Sequence, residues 1–208
     1  MYNYKTVFYT LGTLQIVLGV FMLIPVIIQL IYGELDSGFI SASIITIVFG
    51  VLFFLSNLDH DKNIDLPQAF ILTALSWLSI AIFGSLPFIF SELNLKFTDA
   101  FFESMSGITT TGSTIITDLD NAPKGILLWR AILQWLGGIG IILMAITLMP
   151  IMNIGGMQLF KISSNDNAEK ILPKSKEVSL RLILIYSFLT FTCALFYKLF
   201  GMNYFDSF

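Results

Sequence analysis

The chain has 208 residues, of which 56% are hydrophobic and only 12% are charged. Because soluble domains carry about 25% charged residues, this composition indicates an integral membrane protein whose surroundings are a lipid bilayer. The net charge of −3 argues against nucleic acid as a partner, and a single cysteine and a single histidine exclude a disulfide framework and a histidine–cysteine metal cluster.

The first 58 residues predict a transmembrane hairpin. No charged residue lies between Lys5 and Glu34, and a second uncharged run extends from Ser37 to Leu58. Each run reaches the roughly 20 residues that an α-helix needs to cross a bilayer. Pro25 predicts a kink in the first helix, because proline removes a backbone donor from a helix interior.

A polar loop, residues 59–65, separates this hairpin from a third apolar run between Leu66 and Ser91. The loop contains His60 between two aspartates. We expect this histidine to be solvated, with proton sensing as the alternative, since histidine titrates near neutral pH. The third run is long enough to cross the bilayer and predicts a third transmembrane helix.

The segment after this helix is too short to cross. The uncharged run from Ser104 to Thr117 has 14 residues, whereas roughly 20 are required. A helix from Thr98 to Gly107, capped by Thr98 or Asp99, would be about 15 Å long, or half of a roughly 30 Å hydrocarbon core. Gly107 is expected to end it. Its partly negative C-terminal end would then point into the membrane, which favours a cation.

Thr109 to Thr114, with the sequence Thr-Thr-Thr-Gly-Ser-Thr, follow this short helix. Non-helical backbone at membrane depth is tolerated only where protein or water satisfies its polar groups, so the segment predicts an ion filter. Gly112 would allow the turn that aims the carbonyl groups. The same residue types also form ordinary surface turns, which is the alternative. The candidate ligands are the main-chain oxygens of Thr110, Thr111, Gly112 and Ser113, with Thr109 and Thr114 on either side.

Three carboxylates lie near this segment. Glu103 is within the short helix, where an acid is expected to be functional, and we expect it to anchor the loop by hydrogen bonds rather than to touch the ion. Asp118 and Asp120 would lie at the pore mouth and raise the local cation concentration. Alternatively, they solvate and cap a polar loop, as charged loop residues commonly do.

The next uncharged run, from Ala131 to Phe160, is too long for one straight span. Pro150 and the pair Gly155-Gly156 are expected to end its helix. Small residues let membrane helices approach closely, so three glycines in this run predict a packing face rather than an ion site. These glycines are Gly137, Gly138 and Gly140.

Arg130 lies just before this run and is expected near the outer interface. There it can extend its charge towards water or pair with Asp118 or Asp120. Its neighbours Trp129 and Trp135 are expected in the interfacial aromatic belt, where tryptophan is enriched.

The distribution of basic residues predicts the orientation of the chain. Most of them fall on one side: Lys5, Lys62, Lys161, Lys170, Lys174, Lys176 and Arg181. The positive-inside rule assigns that side to the cytoplasm. The N-terminus is therefore expected in the cytoplasm and the mouth of the filter outside.

The last apolar run extends from Val178 to Phe200 and contains Cys193, which we expect to be a small packing residue. The tail that follows, residues 203–208, echoes the start of the short helix, with Asp206 aligned on Asp99. The echo predicts an internal repeat whose second pore helix begins where the chain stops.

Taken together, these motifs resemble a known family. Thr98 to Glu103, Thr109 to Thr114, Trp129-Arg130 and Gln134 to Gly140 are similar, in this order, to the membrane subunit of bacterial Trk potassium-uptake systems, in the Trk/Ktr/HKT superfamily. The resemblance implies four helix–pore-loop–helix repeats in one polypeptide, with one glycine in each filter. It also implies potassium as the transported ion, here at Thr110 and Thr111, and a location in the bacterial inner membrane. The partners it implies are a second copy of the full-length chain, as a homodimer, and a cytoplasmic nucleotide-binding regulatory subunit.

The sequence therefore predicts an all-α integral membrane fold, in which a potassium-channel-like helix–pore-loop–helix repeat follows a two-helix hairpin. The parts are the hairpin at residues 1–58, the first repeat at 66–160, a cytoplasmic loop at 161–177, and the truncated start of a second repeat at 178–208. One filter segment cannot encircle an ion, so either this is the N-terminal portion of a longer polypeptide or four copies assemble around one axis. The unfinished pore helix favours the longer polypeptide.

The predicted function is potassium uptake, without enzymatic activity and without a covalently bound cofactor, since the sequence offers no convergent set of catalytic residues. One alternative is a secondary transporter, which would also use broken helices near the midplane. Against it, the hydroxyl cluster offers no charged partner for an organic substrate. The other alternative is a non-conducting scaffold that binds a cytoplasmic regulator through Lys161 to Arg181.

Overall fold

A computed structural model describes residues 4–34, 36–60, 64, 66–152 and 171–207. Within these ranges the chain is helical, apart from its connections, and has no β-strand. Five helical stretches are long and apolar enough to cross a membrane: Lys5–Tyr32, Gly38–Ser56, Pro67–Phe90, Lys124–Met144 and Glu177–Leu199. The described part of the chain is therefore all-helical, and its long apolar helices are those of a multi-pass membrane protein, as predicted.

The described elements are α1 (Lys5–Phe21), α2 (Leu23–Tyr32), α3 (Gly38–Ser56), α4 (Leu66–Gly84), α5 (Leu86–Phe90), α6 (Phe97–Ile108), a 3₁₀ turn (Leu119–Asn121), α7 (Lys124–Met152), α8 (Ile171–Leu199) and α9 (Tyr204–Ser207). They form two compact units, residues 1–138 and 139–208. The candidate site lies in the first unit.

Helices α1 and α3 pack with their backbones in close approach, because glycines face each other at the crossing. A Cβ atom on Gly12 would lie 2.7 Å from the carbonyl oxygen of Gly50, and one on Gly50 would lie 2.8 Å from the backbone nitrogen of Ile16. Further along, Ser43 Oγ of α3 donates a hydrogen bond of 2.7 Å to the carbonyl of Gly19. Small residues therefore set the spacing of this pair, as in other membrane helix pairs.

Prolines divide two of the spans. The first span is interrupted at Met22, three residues before Pro25; a kink of this helix stays a prediction. The third is interrupted at Ser85, before Pro87 in the first turn of α5. In each case proline cannot donate to the preceding turn. Helix α7 passes through Pro150 and is described as far as Met152. The pair Gly155-Gly156 lies outside the described residues, so the end of this helix at Pro150 and Gly155-Gly156 stays a prediction.

Trp129 occupies the centre of the first unit. Its side chain is fully buried, and Nε1 donates a hydrogen bond of 2.9 Å to the carbonyl of Gly84. That carbonyl lies at the interruption between α4 and α5, where the N–H of Phe88 bonds to Ser85 instead. The edge of Phe39 packs against the indole at a centroid distance of 6.3 Å. The expected place of Trp129 in an interfacial belt is therefore wrong, whereas Trp135 is partly buried.

The turn between α2 and α3 is bound to two later parts of the chain. Glu34 Oε2 accepts a hydrogen bond of 2.9 Å from the backbone N–H of Lys124, at the start of α7. Asp36 Oδ1 accepts a hydrogen bond of 2.8 Å from the N–H of Gly38, and its Oδ2 accepts one of 3.3 Å from the N–H of Glu92. The N-terminal hairpin therefore holds the chain on both sides of α6.

The opposite end of the hairpin is closed by contacts between α1 and the residues after α3. The ring of His60 stacks on Tyr9 at a centroid distance of 3.8 Å, and Lys5 Nζ lies 3.8 Å from Asp59 Oδ2. The expectation that His60 is simply solvated is therefore wrong, because its ring packs on Tyr9.

The second unit contains the end of α7, α8 and α9. Helix α8 is described from Ile171, and its part that is long and apolar enough to cross a membrane is Glu177–Leu199. The predicted last span, Val178 to Phe200, agrees with it within a residue at each end, while residues 153–170 lie outside the described part of the chain. Cys193 is exposed, so its expected role as a packing residue is not seen in this unit. Lys198 Nζ lies 3.6 Å above the ring of Tyr204, which fixes the turn between α8 and α9.

The close approach of α1 and α3 predicts a specific intolerance. Gly50→Ala would place a methyl group within 2.8 to 2.9 Å of backbone atoms of α1, and we expect the free energy of unfolding in detergent to fall by about 1–3 kcal/mol. The matched control is Gly140→Ala, because a Cβ atom at Gly140 meets nothing within 4 Å. Equal melting temperatures for the two variants would contradict the packing described above.

Candidate functional site

Helix α6 is too short to cross a bilayer. It has 12 residues, which gives about 18 Å of length against a hydrocarbon core of about 30 Å. The predicted helix, Thr98 to Gly107, lies within it. Its N-cap residue is Lys96 rather than Thr98 or Asp99, and Asp99 instead lies in the first turn, where its negative charge favours the helix dipole.

Two glycines let the end of α6 approach α7. Gly107 does not end the helix as expected, since α6 continues to Ile108. A Cβ atom on Gly107 would instead lie 3.0 Å from Cβ of Leu133 on α7. On the α7 side, a Cβ atom on Gly137 would overlap the carbonyl of Ile108. The predicted packing role is therefore confirmed for Gly137, while no described atom lies within 4 Å of a Cβ position at Gly140.

The segment from Thr109 to Thr117 has no regular secondary structure, and Thr109 to Ser113 are exposed in this chain. Two residues have a positive φ, Thr110 at 58° and Gly112 at 77°. Glycine adopts this left-handed region at no steric cost, so Gly112 supplies the turn expected of it. A Cβ atom there would be 3.5 Å from Nε2 of Gln134; the need for glycine comes from the backbone and not from lack of space.

Ser106 of α6 holds this segment by its main chain and its side chain. Its carbonyl accepts hydrogen bonds from the N–H groups of Thr111 and Gly112, at 3.0 and 3.4 Å. Its hydroxyl donates to the carbonyl of Ser113 at 2.5 Å. Ser106 is not among the site residues predicted from the sequence, although its position one helical turn after Glu103 places both side chains on one face of α6.

Glu103 is buried and makes three contacts. Its Oε2 accepts hydrogen bonds from the hydroxyl of Thr114 at 3.0 Å and from the N–H of Ile115 at 3.1 Å. Its Oε1 accepts from Nε of Arg130 in a salt bridge, in which the side chains are 0% and 16% exposed. The expected pairing of Arg130 with Asp118 or Asp120 is therefore wrong. The guanidinium turns inward to neutralise a buried carboxylate.

The two aspartates of the following loop have local roles. Asp118 has a φ of 60°, and both of its carboxylate oxygens accept from the side-chain amide of Asn121, at 3.1 and 2.9 Å. The backbone of Asp120 lies in the 3₁₀ turn. These contacts are those of a capped polar loop, which was the alternative reading; an electrostatic role for Asp118 and Asp120 stays a prediction.

Within the described residues, no group of three or more histidine, cysteine or acidic side chains could hold a metal ion. The oxygen atoms concentrated between Thr109 and Thr114 belong to carbonyls and hydroxyls. Such neutral oxygen ligands can replace the hydration shell of a cation that passes through, whereas a tightly bound transition metal prefers nitrogen or sulfur ligands.

The architecture defines a class, a multi-pass helical membrane protein in which a half-length helix leads into a hydroxyl-rich segment held by hydrogen bonds. The chain belongs to the TrkH family, described as cation transport protein, whose family model matches residues 36–204.

The similar proteins include potassium uptake subunits. The chain is 38% identical to the Trk system potassium uptake protein TrkI of Halomonas elongata, over 95% of this chain and 40% of that protein. It is 37% identical to the Trk system potassium uptake protein TrkH of Escherichia coli, over 99% of this chain and 43% of that protein. The crystal structure of the potassium transporter TrkH from Vibrio parahaemolyticus matches with a TM-score of 0.87 and 34% identity, over 99% of this chain and 42% of that chain. The chain thus spans about two fifths of the length of these relatives.

The contacts of Glu103 predict that its charge matters to stability. In Glu103→Gln the amide oxygen can still accept from Thr114 or Ile115, but the guanidinium of Arg130 loses its counter-charge. We expect a loss of about 3–5 kcal/mol, as when one partner of a buried ion pair is removed. The measurement is the free energy of unfolding by denaturant in detergent micelles.

A control variant shows whether the loss of stability comes from the buried ion pair or from the removal of any charge. Arg181→Gln breaks the exposed ion pair between Arg181 and Glu177, whose side chains are 78% and 71% exposed, so its cost in unfolding free energy should stay within about 1 kcal/mol.

In the double variant Glu103→Gln/Arg130→Gln, the total cost should be smaller than the sum of the costs of the two single variants. Strict additivity would show that the buried pair contributes nothing.

Proposed function

We propose that this chain forms the part of a Trk-type potassium uptake subunit that carries its first selectivity-filter segment. The observation that carries the proposal is the succession of a helix too short to span, α6, and an oxygen-rich segment, Thr109 to Thr114, whose first five residues are exposed. Ser106 and Glu103 fix the backbone of this segment. In a membrane, such backbone is tolerated where it lines a water-filled path. We therefore interpret α6 as a re-entrant pore helix.

The proposed ion ligands are the main-chain oxygens of Thr110, Thr111, Gly112 and Ser113, with potassium at Thr110 and Thr111 and with Thr109 and Thr114 flanking them. Selectivity arises where such oxygens replace the hydration shell of the ion while binding weakly enough to let it leave. Potassium is the cargo, and the chemistry is transport, not an enzymatic reaction. With one glycine in the segment, we expect looser discrimination against sodium or rubidium than in potassium channels.

One segment supplies only one side of an ion. The relatives are more than twice as long as this chain, which supports the proposal that further repeats complete the ring of ligands. We propose the following parts of the chain: the hairpin at residues 1–58, the first repeat at 66–160, a cytoplasmic loop at 161–177, and the start of the second repeat at 178–208. Helix α9, with Asp206 in its first turn, corresponds in position to the start of α6.

We further propose that the protein lies in the bacterial inner membrane with its N-terminus in the cytoplasm, as the basic residues predict. The proposed partners are a second copy of the full-length chain and a cytoplasmic nucleotide-binding regulatory subunit. A substrate-coupled secondary transporter and a non-conducting scaffold are the competing functions. Against the first, the exposed residues of the segment carry hydroxyls but no charge.

Growth at limiting potassium tests the proposal. A bacterium deficient in potassium uptake should grow when it expresses the complete reading frame from which this chain comes, because the ring of ligands is then complete. The 208 residues alone should not support growth. Rescue by the 208 residues would favour a ring of four copies, and failure of the complete frame, with the protein present in the membrane, would favour a scaffold or another cargo.

The turn at Gly112 gives a test of the ligands themselves. Gly112→Ser in the complete protein should lower the ratio of potassium to sodium uptake, because a side chain disfavours the φ of 77° that aims the neighbouring carbonyl groups. The matched control is Gly33→Ser, since Gly33 has a φ of 74° and open space around its Cβ position, but lies at the end of α2. Both variants should insert equally. An unchanged ion preference in Gly112→Ser would remove the filter assignment.

A further inference from the structure

Ser106 is bonded on both sides of Gly112. Its carbonyl accepts from Thr111 N–H at 3.0 Å, and its hydroxyl donates to the Ser113 carbonyl at 2.5 Å. Ser106 is only 5% exposed, so water does not compete freely for either bond. Three consecutive residues of the proposed ion-binding segment are thus held by one residue of α6.

The end of α6 makes the carbonyl of Ser106 available. The last carbonyls of a helix lack intrahelical partners. The N–H of Thr110, which would otherwise bond to Ser106, bonds to Gly107 at 2.9 Å. The carbonyl of Ser106 is therefore free to accept from the residues beyond Thr110.

The hydroxyl of Ser106 departs from the usual behaviour of a helical hydroxyl. Serine and threonine in helices commonly donate to a carbonyl in the preceding turn, as Thr109 does to Met105 at 2.7 Å. Ser106 instead donates forward, to a residue beyond the helix. The bond therefore adds nothing to α6 and acts only on the orientation of the Ser113 carbonyl.

This bond also limits how Ser113 can bind a cation. A carbonyl oxygen has two acceptor lone pairs, and the hydroxyl of Ser106 uses one of them. Gly112, which precedes Ser113, restricts the backbone less than any other residue type, and the hydrogen bond from Ser106 limits how far the Ser113 carbonyl can turn. Glu103 does not provide it, since its bonds reach Thr114 and Ile115.

We propose that Ser106 is a positioning residue for ion selectivity: its hydroxyl holds the Ser113 carbonyl in the direction in which the free lone pair replaces a water molecule of a potassium ion. The inference rests on the proposed function, because it assumes that Ser113 is an ion ligand. It assigns a side chain, not only backbone, to the discrimination between cations of different size.

The chain provides a matched control two residues away. Ser104 lies on the same helix and is fully buried, but its Oγ has no hydrogen-bond partner among the described residues. Ser106→Ala and Ser104→Ala thus remove the same atom from the same helix. Only the first removes a bond to the proposed ligand segment.

The experiment compares these variants in the complete protein, reconstituted in lipid vesicles, by the initial rates of potassium and sodium uptake. In Ser106→Ala the ratio of potassium to sodium uptake should fall about three- to tenfold, the range expected for loss of one hydrogen bond. Ser104→Ala should retain the wild-type ratio. Ser106→Cys has nearly the size of serine but is a weak donor, so its ratio should fall between those of wild type and Ser106→Ala.

The outcomes separate the two proposals. If the wild-type protein transports neither ion, the proposed function fails. If the wild type selects potassium and Ser106→Ala keeps the ratio of Ser104→Ala, the role of Ser106 is overturned. If Ser106→Ala does not fold, the ratio of potassium to sodium uptake is measured in Ser106→Cys instead. A ratio equal to that of the wild type would then overturn the inference. An equal fall in both uptake rates at an unchanged ratio would mark Ser106 as structural only.

Discussion

The carboxylate of Glu103 accepts hydrogen bonds from two directions, and the arrangement around the candidate site depends on this. One oxygen accepts hydrogen bonds from the hydroxyl of Thr114 and the N–H of Ile115, and the other accepts one from Arg130 of α7. A buried carboxylate without partners would be costly, and each of these donors offsets part of that cost. The segment therefore cannot change its conformation without disturbing a charge shared with α7.

Close backbone contacts continue this constraint into the rest of the first unit. The end of α6 rests on Gly137 of α7, and the start of α7 contributes Trp129, whose indole closes the interruption between α4 and α5. The carbonyl of Gly84, which the N–H of Phe88 leaves unpaired at this interruption, is thus satisfied by another helix, as backbone groups in a membrane must be. The interruption between α4 and α5 and the contact of α7 with these helices therefore depend on each other.

The sequence predicted the elements well and their contacts poorly. The predicted helix from Thr98 to Gly107 agrees with α6 within a residue at each end, although the cap is Lys96 and Gly107 does not end it. The single glycine located the left-handed turn, because a positive φ depends on local geometry. The partner of Arg130 was predicted from nearness in sequence, whereas the helices bring Glu103, many residues earlier, to its side. Gly107 was predicted to end α6 for its backbone freedom, yet its lack of a side chain serves packing on Leu133. Such choices depend on which face meets which helix, and local patterns do not contain that information.

The contacts of Glu34 and Asp36 have a consequence for the order of assembly. A chain is synthesised from its N-terminus, so these two carboxylates are made before the residues they bind, Glu92 and Lys124. A helix of α6's length is marginal in isolation, and it cannot anchor itself by spanning. During biogenesis the hairpin would act as a template: its turn is ready to receive the chain on either side of α6 as that helix emerges. The pair of spans that precedes α6 would thus belong to the folding pathway of this helix as well as to its final structure.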